Sequence, residues 1–576
     1  MPTALKALFL TFVILALGFN WVTPLGEAPD EDSHFGVIRN YIRRGLLQGG
    51  QQHEAFQPPL YYVIGSLLAR PFDLSEARLW RNPDFIIGDS ESPPNLLIHT
   101  AAEDWPFASW VWAWHILRLY STSCLLVGLL ATWKLAQLVV PEEPLIGMLS
   151  IGLIGLSPGV LFIAAAINND NLAFALAALT LWQLARIAQG ANDRHDWLLL
   201  GALLGAGYAT KLSLLALVVP TLVVGSTHAC RFASTRLLLS RMGSLVMGIA
   251  MTGGWWALYL GVNHREVLGL HRTWGFNPPR ENPISLSEWT TILFHTWQSY
   301  WLRYLQLRQP SWVYHSLWLL PLLAGGGWIR LWLWRGHRVK SDWRMLTVLA
   351  IQILTTCAAW LFWTIRVPGT DQARLLSPAY PAIAILASIG LVHLWSRSWT
   401  RRLGVAVICL WLAGLSIWTI FGVLHAHFAP PPTELATPTP PQVVFGGELG
   451  LDYQVTVEAA PLQSGQRIDI ETRWRALVPI HRDLWVQWKL QPLLGDPVVV
   501  DFGSPLRGIY STDRWPPGRV LYARHTLVVP EGTRPGVYHV IASVRPPDKV
   551  AWLPVLAGGQ VIGEEVILAE VTIGAP

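Results

Sequence analysis

Glu27-Ala28-Pro29-Asp30-Glu31-Asp32-Ser33-His34-Phe35-Gly36 begins a few residues after the first apolar run of the chain. Four acidic side chains fall in its first six residues, in a sequence with only 37 Asp and Glu among 576 residues. Carboxylates at the end of a membrane span are costly if lipid buries them, so they mark function more often than packing. The fold depends on whether 4–24 before this stretch is a signal peptide or a span. No small-residue cleavage site precedes the acids, so the run reads as a retained helix.

Working outward, the composition agrees. The chain is 52% hydrophobic and 14% charged, with 32 Trp, whereas a soluble domain carries about 25% charged residues. The net charge of +5 comes largely from Arg in short loops beside apolar runs, which is how membrane proteins mark their cytoplasmic side. The basicity is therefore read as topology, and nucleic acid is excluded as a partner. Cys124, Cys230, Cys357 and Cys409 show no disulfide or zinc spacing and read as packing residues.

Further apolar runs fall at 113–139, 144–166, 170–188, 196–210, 212–227, 241–262, 311–334, 345–366, 373–395 and 403–425, about eleven spans in all. The stretch 196–227 fits one tilted span or a hairpin of two short ones. With a hairpin, Arg186 and Arg194, Arg231, Arg236 and Arg241, Arg335, Arg338, Lys340 and Arg344, and Arg397, Arg401 and Arg402 share one side, as the positive-inside tendency favours. The expected protein is multi-pass in a plasma or inner membrane, with a cytoplasmic N-terminus and an extracytoplasmic C-terminus. The loops 25–112 and 263–310 then lie outside, with the tips at Asn168–Asn171, Ala209–Lys211 and Pro368–Gln372.

In the first loop, residues 33–46 predict an interfacial helix, with Phe35, Ile38, Ile42 and Leu46 at helical spacing and Asp32 or Ser33 as cap. Gln57-Pro58-Pro59-Leu60-Tyr61-Tyr62 opens a second short helix, with proline in its first turn. Residues 427–442 contain six prolines and read as a semi-rigid linker. Beyond it, period-two alternation in 467–472, 484–490 and 537–544 predicts an antiparallel β-sandwich over 443–576. The domain expectation is 1–426 transmembrane, 427–442 linker and 443–576 sandwich.

Asp30 is the leading catalytic candidate, as a base toward an acceptor hydroxyl or as a metal ligand. Asp170, from another helix end on the same face, is the second. Lys211 and Arg374 are cations on the side where topology disfavours positive charge, placed to meet a phosphate. Each also has a plainer reading, as a cap or a snorkelling side chain. There is no GxxxxGK[ST], GxGxxG after a strand or GxSxG, and Gly325-Gly326-Gly327 lies inside an apolar run and reads as packing.

Together these pieces resemble the GT-C superfamily of polytopic glycosyltransferases, which includes the protein O-mannosyltransferases and the bacterial lipid-linked sugar transferases. The resemblance covers about residues 1–425. It rests on Asp30-Glu31 with His34-Phe35-Gly36 beyond, on Gln57–Tyr62 (similar to HPPLYY), on Asn169-Asp170, on Thr210-Lys211-Leu212-Ser213, and on Gln372–Pro378 (similar to QGRYLxP). It implies a polyprenyl-phosphate sugar donor and a glycan, lipid or protein acceptor. Asp30, Glu31 and Asp170 would be catalytic, Lys211, Arg374 and Gln372 would bind the donor phosphate, and His34, Gln57, Tyr61 and Asn169 would line the pocket. Two departures stand: alignment on His34 would make Glu31-Asp32 the acidic pair, and Gln57 replaces the usual histidine. No cofactor is implied with certainty; a divalent metal is open. The alternatives are a transporter, which would carry its polar sites near the midplane, and a membrane-anchored glycan-binding protein without catalysis.

Overall fold

The computed structural model describes residues 3–48, 50–229, 235–333 and 343–574. Cys230, Arg231, Arg335, Arg338 and Lys340, used above for packing and topology, lie outside the described residues. The chain forms two compact units, Met1–Glu76 with Trp112–Ala426, and Ala77–Val111 with His427–Pro576.

The first unit is helical, and every one of the eleven apolar runs contains helix. Eight of the described helices are long and apolar enough to cross a membrane. A ninth span would join Pro144–Gly155 and Pro158–Ala164, which bend by 69°. The bend has a local cause: Pro158 has no N–H to donate, and Ser157 before it is held extended. The two arms of the expected hairpin are short. Arg194–Tyr208 has 15 residues, about 22 Å at 1.5 Å per residue, against a hydrocarbon core of about 30 Å. The count of eleven full spans is not reproduced.

Helix surfaces such as Leu10, Ile14, Leu130, Met251, Leu258, Leu354 and Leu410 are exposed, while Phe12, Phe19, Trp114 and Phe174 are enclosed between helices. A protein in water would not leave that many leucines bare; in lipid they are solvated. Gly327 is a packing residue, as its place in an apolar run suggests. A Cβ on it would lie 1.7 Å from the Gly390 carbonyl oxygen, so the helices Leu319–Leu333 and Tyr380–His393 cross backbone to backbone.

After the first span, Asp30 adopts a left-handed conformation (φ 58°) and Glu31–Arg44 forms a helix. The cap is therefore Asp30, whose carbonyl accepts from His34 N–H at 3.0 Å. This corrects the expected cap at Asp32 or Ser33. The helix ends at Gly45 (φ 103°), so Leu46 lies beyond it and is exposed rather than on the buried face. A short turn His53–Phe56 and the helix Leu60–Ala69 follow, and the second long loop carries the helices Leu270–Phe276 and Leu286–Tyr300.

The second unit is a two-layered antiparallel sandwich. One sheet runs Val566–Ile573, Gly536–Arg545, Trp485–Pro492, Val499–Gly503 in spatial order, and the other has seven strands centred on Leu449–Val457, Arg467–Ala476 and Arg519–Val528. Alternation places Ile468, Ile470, Thr472 and Trp474 inward from one sheet, and Val486, Trp488 and Leu490 from the other. Trp474 and Trp488 meet at 6.3 Å, edge to face. Part of the Pro-rich stretch is strand: Glu434–Leu435 pairs with Val520 and Arg519. Residues 77–111, from the first long loop, belong to this unit. Asn82 Nδ2 donates to the Arg507 carbonyl at 3.0 Å, Asn95 Nδ2 to that of Gly508 at 3.1 Å, and Arg514 grips Asp104 with two nitrogens at 2.7 and 2.9 Å.

Candidate active site

A cavity of about 540 Å³ opens in the helical unit. Asp30 and His34 reach it from the first turn of Glu31–Arg44, and His53, Glu54 and Gln57 from the segment that follows. Asn169 comes from the turn before Asp170–Ala188, Lys211 from the tip of the hairpin, and Gln372 and Arg374 from the start of the segment Ala373–Ala379. Chain segments more than 300 residues apart thus bring their polar ends to one hollow.

The charged groups form a chain. Lys211 Nζ meets Asp170 Oδ1 at 2.6 Å and Asn169 Oδ1 at 3.4 Å. Arg374 Nη1 reaches Asp170 Oδ2 at 3.4 Å, and its Nη2 donates to Asp30 Oδ2. Arg374 Nε donates to Gln372 Oε1 at 2.7 Å, so all three guanidinium nitrogens are engaged. Asp170 is almost wholly buried, with 2% of its side chain exposed, whereas Asp30 shows 36%. Burial alone would raise the Asp30 carboxyl; the Arg374 charge, helped by His34 and His53, outweighs it and holds the group down to about 2.

Glu31 is placed differently from its expected catalytic position. It does not line the cavity but lies fully buried beneath it. Its carboxylate accepts Arg118 Nε and Nη2 (2.7 Å each), Trp114 Nε1, and the Gly26 and Ile167 N–H groups (3.0 Å each). Burial works against its ionisation and Arg118 overcomes it, keeping its pKa lowered. Arg118 also donates to the carbonyls of Asn20, Thr23 and Pro24, which ties the end of the first span to the turn that carries Asp30. Glu31 is thus held by five N–H groups outside the cavity lining. Asp32, the member of the shifted pair, is half-buried and does not line the cavity.

Among the expected pocket residues, His34, Gln57 and Asn169 line the hollow. His34 is buried and hydrogen-bonded to Tyr62 OH at 2.8 Å, and burial pushes its pKa down. Tyr61 is set back from the cavity: its hydroxyl meets Ser121 Oγ at 2.7 Å and accepts the Asn168 N–H at 3.1 Å, fixing the turn before Asp170. Sequence reasoning missed the far wall, where Trp274 and Trp363 stack at 5.3 Å beside Trp360 and Phe56. The ring of His53, also in the lining, meets Glu54 Oε1 at 3.1 Å, and that hydrogen bond raises the histidine pKa. A tryptophan in a chain with 32 of them carries no signal of its own.

Residues 113–256 match the family model of the dolichyl-phosphate-mannose-protein mannosyltransferases. The match takes in Asn169-Asp170 and Thr210-Lys211 and agrees with the GT-C resemblance read from the motifs. No curated protein matches the chain. Among solved structures it is similar to ArnT from Cupriavidus metallidurans bound to undecaprenyl phosphate, at 16% identity, over 71% of this chain and 70% of that one, with a TM-score of 0.42. It is also similar to the arabinofuranosyltransferase AftD from Mycobacteria, at 14% identity, over 72% of this chain and 27% of that one (TM-score 0.42). A third is the protein O-mannosyltransferase Pmt1-Pmt2 complex of S. cerevisiae bound to the sugar donor, at 14% identity, over 46% and 34% of the two chains (TM-score 0.32).

Proposed function

We propose that this chain is an integral-membrane glycosyltransferase that takes a sugar from a polyprenyl-phosphate carrier and passes it to an acceptor hydroxyl outside the cytoplasm. The observation that carries the reading is the convergence on Arg374, which pairs with Asp30 and Asp170, carboxylates from separate segments, and lines one cavity with Asp30 and Lys211. The family-model match over 113–256 points the same way.

On this reading the acceptor oxygen attacks the anomeric carbon as the bond to the carrier phosphate breaks, through an oxocarbenium-like state. Asp30, the more exposed of the two acids, orients the acceptor hydroxyl and takes its proton as the new glycosidic bond forms. The leaving group is an anionic lipid phosphate, and Lys211 and Arg374 supply the fixed positive charge where it develops. Asp170 is too enclosed to meet a substrate and acts by aiming both cations. Gln372 holds Arg374 in plane. The aromatic wall of Trp274, Trp360 and Trp363 gives the carrier an apolar surface.

The test incubates purified protein with polyprenyl-phosphate-linked hexoses and pentoses, supplies lipid and peptide acceptors, and follows release of the lipid phosphate. Asp30→Asn is expected to insert and fold but to lose about 10²–10⁴ in rate, the range for a removed general base. Full activity in Asp30→Asn, with Asp32→Asn dead, would overturn the assignment of the base.

A further inference from the structure

We propose that a second, smaller hollow, lined by Tyr304, Ser377 and Tyr380, selects the sugar of the donor, and that it takes an uncharged sugar bearing an exocyclic hydroxymethyl group. The proposal rests on the glycosyltransferase reading and deepens it. Arg374 and Gln372 border both this hollow and the large cavity, while Asp170 lines the small one. A sugar joined to a phosphate on Arg374 therefore has the small hollow within reach. Its volume is about 40 Å³. At about 10–15 Å³ for each water-sized group, it has room for roughly three or four. That is too little for a whole sugar ring and enough for a hydroxymethyl group with the ring hydroxyl next to it.

The lining leaves hydroxyl groups open. Ser377 is 5% exposed, and its Oγ is buried without a hydrogen-bond partner. Tyr380 is 8% exposed, and among the described residues neither its hydroxyl nor that of Tyr304 has a hydrogen-bond partner. Tyr300, in the same lining, shows the usual state, donating to the Leu153 carbonyl at 2.9 Å. Buried polar groups are nearly always paired, so open hydroxyls around one hollow point to a polar guest. The charges beside it are already matched: Arg303 meets Asp371 at 3.4 Å, and Arg374 and Asp170 belong to the chain of charges above. What remains for a guest is hydroxyl groups, each both donor and acceptor. They suit sugar hydroxyls and offer an ammonium or a carboxylate no counter-charge. Tyr304 is also held in place. It lies in a hairpin, Arg303–Tyr304 paired with Leu307–Arg308, flanked by Leu302 and Leu305 in left-handed conformations (φ 88° and 50°). Such backbone persists in leucine only where the surroundings fix it, and here Tyr314 OH accepts the Gln309 N–H at 2.8 Å and donates to the Leu302 carbonyl at 2.5 Å.

The test is equilibrium binding without acceptor, so that nothing turns over. Full-length protein in detergent micelles is titrated with radiolabelled polyprenyl-phosphate glucose, with the xylose analogue that lacks only the hydroxymethyl group, and with the glucuronic acid analogue that carries a carboxylate there; mannose and lyxose form a second pair. The hydroxymethyl-bearing sugar of at least one pair is expected to bind about tenfold or more tighter than its partner, and the carboxylate analogue no better than xylose. Ser377→Ala and Tyr304→Phe each remove one oxygen, and together they should bring the ratio close to one. The ratio is the readout, so a loosened fold, which weakens both ligands, does not imitate the result. Equal binding within both pairs, a ratio that survives in the double variant, or tightest binding of the carboxylate analogue would overturn the subsite. Equal binding by protein that still releases lipid phosphate in the transfer assay removes the subsite and keeps the transferase. A preference without any release does the reverse, and protein that neither binds nor releases loses both.

Discussion

Glu31→Gln separates a residue that reacts from one that holds the reacting residue in place. Glu31 and Arg118 have no exposed side-chain surface. In the wild type five N–H groups converge on the two carboxylate oxygens. A glutamine keeps one oxygen, enough for Arg118 Nε, Trp114 Nε1 and the Ile167 N–H. Its amide nitrogen then faces the Gly26 N–H and Arg118 Nη2, donor against donor, and the guanidinium remains buried without its counter-charge. Removing one partner of a buried ion pair costs about 3–5 kcal/mol, a large part of the roughly 5–15 kcal/mol that keeps a protein folded.

The assay is unfolding in mixed micelles of increasing SDS content, read by tryptophan fluorescence, with transfer activity measured on the same preparation below the transition. The expected result is a loss of stability of about 3–5 kcal/mol, with activity falling because the turn that carries Asp30 loosens. Arg118→Met should cost a similar amount by leaving the carboxylate unpaired. If Glu31→Gln unfolds within about 0.5 kcal/mol of wild type, the usual range for substitutions without a structural role, and is nevertheless inactive, the positioning argument fails. Glu31 would then belong in the chemistry after all.

Arg374→Lys keeps the charge but offers one ammonium where three nitrogens are engaged, so it cannot hold Asp30, Asp170 and Gln372 together. A drop in kcat of about 10²–10³ is expected in the lipid phosphate release assay, with the melting transition retained. Gly327→Val puts a side chain where the Gly390 carbonyl already sits. The helices must separate, at a cost of at least about 1–3 kcal/mol, seen as a lowered melting temperature or lost yield. In the sandwich, burial and then the nearby Asp501 push the Asp84 carboxyl up to about 6. A folded-state pKa raised this far disfavours the folded state once the group ionises, so stability is highest below about pH 4 and falls as pH rises toward 6. Asp84→Asn should stabilise these strands by up to about 3 kcal/mol at pH 7.5 and by nothing at pH 4, measured by hydrogen exchange of Val499–Gly503.

The parts legible in the sequence are those written in local pattern. Apolar runs gave the helices, alternation gave the strands, and acids or cations at helix ends gave Asp30, Asp170, Lys211 and Arg374. What escaped depends on partners distant in sequence. Arg118 sits inside an apolar run, and the carboxylate it pairs with lies 87 positions earlier. The assignment of 77–111 to the sandwich unit rests on Asn82 and Asn95 donating to carbonyls more than 400 residues away, which no periodicity announces. Hydropathy measures apolar length and not direction, and eight of the described helices, or nine with the bent pair, are long and apolar enough to cross a membrane where the runs suggested about eleven. The bend within the run 144–166 has its cause in Pro158 itself.

Arg374 also constrains how a donor would enter. Its Nε, Nη1 and Nη2 are committed to Gln372, Asp170 and Asp30, so a phosphate that reaches it must displace one of them. Asp170 cannot yield easily: its side chain is almost closed off, and Lys211 holds its other oxygen at 2.6 Å. Gln372 is neutral and competes poorly with an anion for a cation. Asp30 is the partner with solvent to retreat into, at 36% side-chain exposure. On the proposed reading, the carrier phosphate therefore takes the place of Asp30 on Arg374, and the same exchange leaves the Asp30 carboxylate free to accept a hydrogen bond from an incoming hydroxyl. Donor binding and preparation of the acceptor site would be one event, and a chain lacking Arg374 would lose both together.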